Sequence, residues 1–142
     1  MHIRPFRADH EVNDTESVVA LWQASGLTRP WNDPYRDIER KLSTQPELFL
    51  VGETDATVTG TAMVGFDGHR GWVYYLAVDS SQRGRGLGRA LMNEAERLLT
   101  ERGCPKIMLM VRSANADVLA FYDTLGYSVD DVTVLGKRLI AD

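Results

Sequence analysis

Asp79-Ser80-Ser81-Gln82-Arg83-Gly84-Arg85-Gly86-Leu87-Gly88-Arg89 is the stretch on which the fold of this chain turns. Three glycines fall within five residues, at 84, 86 and 88, and three arginines with no acid lie between residues 82 and 89. Glycines let the main chain come close to a ligand and point its amides into one space. An apolar strand, Trp72 to Asp79, leads in. The clearest helical pattern of the chain leads out, over about residues 86–102: Leu87, Leu91, Ala95 and Leu98 step by four, four and three and form one buried stripe. The start of that helix adds unpaired N–H groups and the positive end of its dipole. A strand, a glycine-rich turn, three arginines and a helix N-terminus together predict an anion pocket fit for phosphate.

Two familiar phosphate loops are excluded by spacing. The string Gly-x-x-x-x-Gly-Lys-Ser/Thr does not occur. Gly-x-Gly-x-x-Gly fails from Gly84, where the last position is Arg89, and from Gly86, where it is Leu91. What the stretch does contain is Arg83-x-x-Gly86-x-Gly88.

Outward from the loop, the chain reads as one domain over residues 1–142, without repeats or linkers. Residues 2–7 read as a strand, and Val12, Thr15, Val18, Val19 and Trp22 recur at helical spacing before a stop at Gly26. Asp33 caps a second helix with Pro34 in its first turn, running through Ile38 and Leu42 to about Thr44. Residues 47–53 and 57–66 read as strands joined by the short turn Thr54-Asp55-Ala56. A second turn, residues 67–71, leads into the Trp72 strand, whose two faces are both apolar, as in a strand inside a sheet. Beyond the long helix, Gly103 and Pro105 stop it and Lys106–Val111 reads as a strand. Val118, Phe121, Tyr122 and Leu125 mark a last helix ending at Gly126, and Val132 to Ile140 is expected to close the chain as one or two strands. The order β-α-α-β-β-β-α-β-α-β predicts an α/β chain, a central mixed sheet flanked by about four helices.

Composition narrows the function classes. Sixteen Lys plus Arg against twenty Asp plus Glu give a net charge of −4, which argues against a dedicated nucleic-acid binder. Hydrophobic residues make up 44% and charged residues 25%, proportions of a globular protein. A chain of this size buries roughly 70% of its unfolded surface and needs no staples. The longest apolar run, Trp72 to Val78, is seven residues, far below the ~20 that span a bilayer. His2, His10 and His69 have no metal-ligand spacing with each other or with Cys104, so no metal is expected. A single cysteine and no apolar leader make the cytoplasm the expected compartment.

Arg83-x-x-Gly86-x-Gly88 resembles the pyrophosphate loop of the GNAT superfamily of acetyl-CoA-dependent N-acetyltransferases. The likeness extends to Leu76-Ala77-Val78-Asp79 before the loop, and to Asn115 and Phe121-Tyr122-x-x-Leu125-Gly126-Tyr127 after it. With the order of elements it covers nearly the whole chain. Arg29-Pro30-Trp31-Asn32-Asp33-Pro34 and Tyr74-Tyr75-Leu76 look most similar to a small bacterial subgroup of acetyltransferases.

The resemblance implies that amides of Arg83, Gly84, Arg85, Gly86, Leu87, Gly88 and Arg89 hold the cofactor diphosphate. It also implies that the backbone of Leu76, Ala77 and Val78 runs beside the pantetheine arm, that Asn115 meets the cofactor, and that Tyr122 faces the thiol. Asn115 is equally a good helix cap, and Tyr122 lies on a core stripe with Val118 and Leu125. A phenol of pKa about 10 giving its proton to a thiolate of about 8.5 works uphill by roughly 2 kcal/mol, so Tyr122 is expected to act chiefly by hydrogen bonding. Several relatives carry a Glu on the strand after the long helix. Here that strand reads Ile107-Met108-Leu109-Met110-Val111, with no ionisable group. Asp67, His69, Asp33, Glu39 or a water remain as candidate bases. The acceptor is expected to be an amine of a small molecule or protein. The family often pairs subunits, although no segment here declares an interface. A non-catalytic acyl-CoA sensor is the competing expectation.

Overall fold

Asp55 and Ala56 both have positive φ, 51° and 61°. That pair makes the mirror-image two-residue turn whose twist matches the strands on either side. It joins β2 (Phe49–Thr54) to β3 (Thr57–Phe66) in the computed structural model, which describes residues 1–142. β4 (Gly71–Val78) continues the meander, and β1 (His2–Pro5) pairs antiparallel with the far side of β2. The last strand, β5 (Ile107–Leu109), lies parallel to β4. The sheet therefore has the order β1-β2-β3-β4-β5, all antiparallel except its final pair.

Helices cover both faces. α1 (Thr15–Ala24) and α2 (Pro34–Leu42) come before β2, and on their side Val18, Val19, Trp22 and Ile38 pack with Phe6, Phe49, Val51 and Ala77. α3 (Leu87–Glu101) and α4 (Ala116–Thr124) belong to the other layer, with Leu87, Leu91, Met92, Ala95, Leu99 and Tyr122 against Leu50, Ala62, Val64 and Val73. The glycines of the sheet serve this packing. A Cβ at Gly60 would stand 3.0 Å from a Leu91 methyl, and one at Gly71 only 2.5 Å from Leu99. α3 can press onto β3 and β4 because those positions carry no side chain.

The cap of α2 forms as expected, with the Asp33 carboxylate accepting from the Tyr35 amide at 2.9 Å and Pro34 in the first turn. The expected final strand does not form. Residues 132–140 have no regular structure, and Val132, Val134, Leu135, Leu139 and Ile140 are exposed. β-branched residues favour a strand only where a neighbour offers a ladder. β5 is three residues long, and the only backbone bond donated within residues 128–140 is a local one, from Val132 to Asp130. The tail is held instead at two ion pairs: Lys106 with Asp130 at 2.9 Å, and Asp142 with Arg40.

Candidate active site

β4 and β5 pair only from Gly71–Ile107 to Val73–Leu109. Past Val73 they part, so Tyr74 to Val78 keep β3 on one side and have no strand on the other. The gap opens into a cavity of about 870 Å³. Leu76, Leu109, Met110, Val111, Asn115, Val118 and Tyr122 line one part of it; Trp31, Asn32, Asp37, Lys41, Tyr74 and Tyr75 line another.

At the far end of β4, Asp79 takes the Ser81 amide and hydroxyl and closes a short 3-10 turn over Ser80–Gln82. Gly84 and Gly86 then adopt φ of +77° and +81°, conformations that cost a side-chain-bearing residue strain. Gly86 stands at the N-cap of α3 without any side-chain cap. The consequence is direct: the amides of Gly84, Arg85, Gly86, Leu87, Gly88 and Arg89 donate to no protein acceptor, and the first helical bond is Ala90 to Gly86. Arg83, Arg85 and Arg89 are exposed and paired with no acid. Unpaired amides at a helix start beside three unpaired guanidiniums leave donors and positive charge that no protein group meets. Gly88 brings α3 against α4, since a Cβ there would meet Phe121 at 3.2 Å and Val78 at 3.6 Å. The loop thus adjoins the residue next to Tyr122, although its own residues do not line the cavity.

Tyr122 is buried, edge-on to Phe121 and Tyr127, and its hydroxyl makes no hydrogen bond yet is not sealed from the cavity surface. Burial pushes its pKa up to about 12. Full proton donation to a thiolate of about 8.5 would then be uphill by about 5 kcal/mol, whereas a hydrogen bond from the protonated phenol carries no such cost. Asn115 caps α4, its side-chain oxygen accepting from Val118 at 3.4 Å, and also lines the cavity. Ala77 faces the α1 layer, while Val78 packs on the α3 layer.

None of the four side-chain bases expected from the sequence lines the cavity. Asp67 folds over its own turn, accepting from the His69 and Arg70 amides and Trp72, and these bonds hold it below the usual carboxylate range. His69 and Glu39 are exposed, and Asp33 is committed to its cap. The acid that does line the cavity is Asp37, which the sequence reading passed over. It accepts from the Tyr75 hydroxyl and Asn32 amide, both at 2.6 Å, and from Arg40 at 2.8 Å. Tyr75 itself sits in mid-strand at φ 53°, where the β3–β4 register slips, with its ring stacked 3.7 Å from that of Trp22. No group of three or more His, Cys, Asp or Glu side chains is assembled that could hold a metal. No helix is long and apolar enough to cross a membrane.

The profile described as the acetyltransferase (GNAT) family matches residues 15–127. The chain belongs to the GNAT acetyltransferase family. An acetyltransferase of Yersinia pestis (strain Pestoides F) is 51% identical over 142 residues, covering 100% of this chain and 98% of the relative. One from Sodalis glossinidius is 52% identical over 143 residues with the same coverage. Among solved structures, an aminoglycoside N-acetyltransferase in complex with CoA superposes with a TM-score of 0.73 at 16% identity, covering 98% of this chain and 100% of that one. A predicted acetyltransferase from Clostridium acetobutylicum, solved with acetyl-CoA, gives 0.70 at 17% identity and 96% coverage of both chains. The fold is the GNAT fold, and the protein is an acetyl-CoA-dependent acetyltransferase.

Proposed function

We propose that this protein moves the acetyl group of acetyl-CoA directly to a primary amine of a small molecule. One observation carries the reading: six consecutive main-chain amides, Gly84 to Arg89, donate to nothing in the protein and lie at the end of a strand whose edge is open. Such a row fits a diphosphate, and Arg83, Arg85 and Arg89 add positive charge that no carboxylate within ion-pair distance meets.

Acetyl-CoA supplies the thioester whose acetyl group the acceptor nitrogen takes, the sulfur leaving as thiolate. The free edge of Leu76 to Val78 aligns an extended arm by backbone pairing, and the Tyr122 hydroxyl, its proton held by burial, donates a hydrogen bond to the leaving sulfur. Fixing both partners in one cavity removes much of the entropic barrier. Asp37, the acid on the cavity wall, already accepts three hydrogen bonds, so its service is to hold Asn32 and Tyr75 in place. The acceptor loses its proton to water. A lateral cavity of about 870 Å³, with no inserted recognition segment around it, suits a small acceptor better than a folded protein.

The test is an amine panel with acetyl-CoA, followed by free thiol release, beside a titration of acetyl-CoA binding. Turnover on at least one amine, abolished when Gly86 is replaced by Asp, supports transfer. Tight binding of acetyl-CoA with no turnover on any amine would make the protein an acyl-CoA sensor instead.

A further inference from the structure

Lys41 is a charge at a core position. It follows Ile38 by three residues on α2, and these two are the buried residues of that helix. Only 8% of Lys41 is exposed, yet no carboxylate lies within 4.0 Å of its ammonium and it donates no hydrogen bond. The contrast is Asp14, the other buried charge, which meets Arg4 at 2.7 Å. Nearby groups are already engaged. Gln45 spends its amide on the N–H and C=O of Phe66, and Glu47 pairs with Arg102 at 3.2 Å. The Nζ packs over Gly65, 3.6 Å from where a Cβ would stand, and is not fully sealed, and Lys41 is among the residues that line the cavity. Burial lowers the Lys41 pKa against the field of Glu47, the mark of an ammonium without a partner.

The cavity as a whole is short of anions. Arg29, Arg40, Lys41 and Arg112 line it against a single acid, Asp37, in a chain whose net charge is −4. Arg40 is neutralised by Asp37 and Asp142, Arg29 points donors at the carbonyls of Gly26 and Thr28, and Arg112 is exposed to solvent. That leaves Lys41 as the buried donor with nothing to bind. A desolvated ammonium is costly unless an anion meets it, and one ammonium matches one unit of negative charge.

We propose that Lys41 is the anion-binding residue of the acceptor cavity, so that the acceptor is an amine that also carries a carboxylate. The proposal rests on the acetyltransferase reading above, and it assigns to α2 the task of choosing the substrate. A charged hydrogen bond of this kind is worth about 10- to 100-fold in affinity.

The experiment compares amino acids with their own carboxamides as acceptors, in the wild type and in Lys41→Met, Lys41→Gln and Lys41→Arg. The expected result is a preference for the acid of about 10-fold or more in kcat/KM, reduced toward unity by Lys41→Met and Lys41→Gln and largely kept by Lys41→Arg. Acids no better than carboxamides in the wild type, or the same preference in a folded Lys41→Met or Lys41→Gln, overturns it. A binding titration with N-acetylglycine and N-acetylglycinamide needs no turnover. It decides the role of Lys41 even if no amine is acetylated, an outcome that would instead count against the transfer reaction.

Discussion

The Tyr75 hydroxyl donates to the Asp37 carboxylate at 2.6 Å and so ties the middle of β4 to α2. The tie sits where the backbone is least comfortable: Tyr75 has φ 53°, a conformation that costs a non-glycine residue about 1 kcal/mol or more. Stacking on Trp22 and the bond to Asp37 hold it there. The Trp22 indole also donates to the Thr61 hydroxyl at 3.0 Å, and Thr61 donates to the Tyr75 carbonyl at 2.8 Å, which completes the clamp on the irregular strand.

Tyr75→Phe keeps the stack and removes the tie. The expected loss is about 1–3 kcal/mol of stability, because Asp37 is left with one donor fewer in a half-buried site. The acceptor KM should rise several-fold while acetyl-CoA affinity holds, as read by denaturant melts and steady-state kinetics. Equal KM values in the two proteins would show that the tie does not shape the acceptor wall.

Tyr122→Phe should lower kcat by about 100-fold with acetyl-CoA affinity kept. The pH profile gives a sharper criterion. A donor must be protonated, and burial pushes the Tyr122 pKa up to about 12, so its loss of proton should not depress the rate below about pH 10. The wild-type rate should therefore show no falling limb up to about pH 10. A limb that falls near pH 9 and vanishes in Tyr122→Phe would mean that the phenol is far more acidic than its burial implies.

Gly86 occupies the left-handed N-cap of α3 at φ +81°, with open space where a Cβ would go. Gly86→Ala therefore meets strain rather than a clash, about 1–2 kcal/mol. Its relief would turn aside the amides proposed to hold the diphosphate. The expected outcome is an acetyl-CoA Kd raised about 10-fold, measured by calorimetry, with the fold intact by circular dichroism. Gly88→Ala differs in kind, because its Cβ would press on the Phe121 ring at 3.2 Å and push α4 back.

Acid should act first on the first strand. Asp14 is 4% exposed and accepts from both terminal nitrogens of the Arg4 guanidinium, at 2.7 and 3.0 Å, and from the Arg7 amide at 2.7 Å. Burial alone would raise its pKa, but Arg4 and the Arg7 amide outweigh that and leave it lowered. A lowered folded pKa means that the stabilisation is present above the unfolded value of about 3.9 and is lost as pH falls through the folded one. Asp14→Asn should cost about 3 kcal/mol at neutral pH and flatten the stability profile below about pH 4, followed by thermal melts. An unchanged acid limb would place the titration elsewhere.

Part of the candidate site is legible in the sequence. Three glycines with three arginines between an apolar strand and a helix mark the turn whose amides stay unpaired, because φ and N-cap chemistry are local properties. The same holds for the Asp33 cap and the Asp55-Ala56 turn, whose geometry a few neighbouring residues decide. The cavity wall was not legible. Glu39 and Asp37 are both acids of α2 that lie roughly 200° apart around the helix, and only the docking of α2 on the sheet sets which one faces inward. Lys41 reads as an ordinary solvent-facing lysine until packing buries it.

The sequence by itself determined the alternation of strands and helices, the glycine-rich turn ahead of α3 and the family, since each rests on spacing along the chain. Tertiary structure alone decided where β4 and β5 part, that Val132–Ile140 finds no ladder, and that Asp37, Tyr75 and Lys41 share one cavity. Those features depend on which surfaces meet, and burial of charge is a property of the neighbours rather than of the residue.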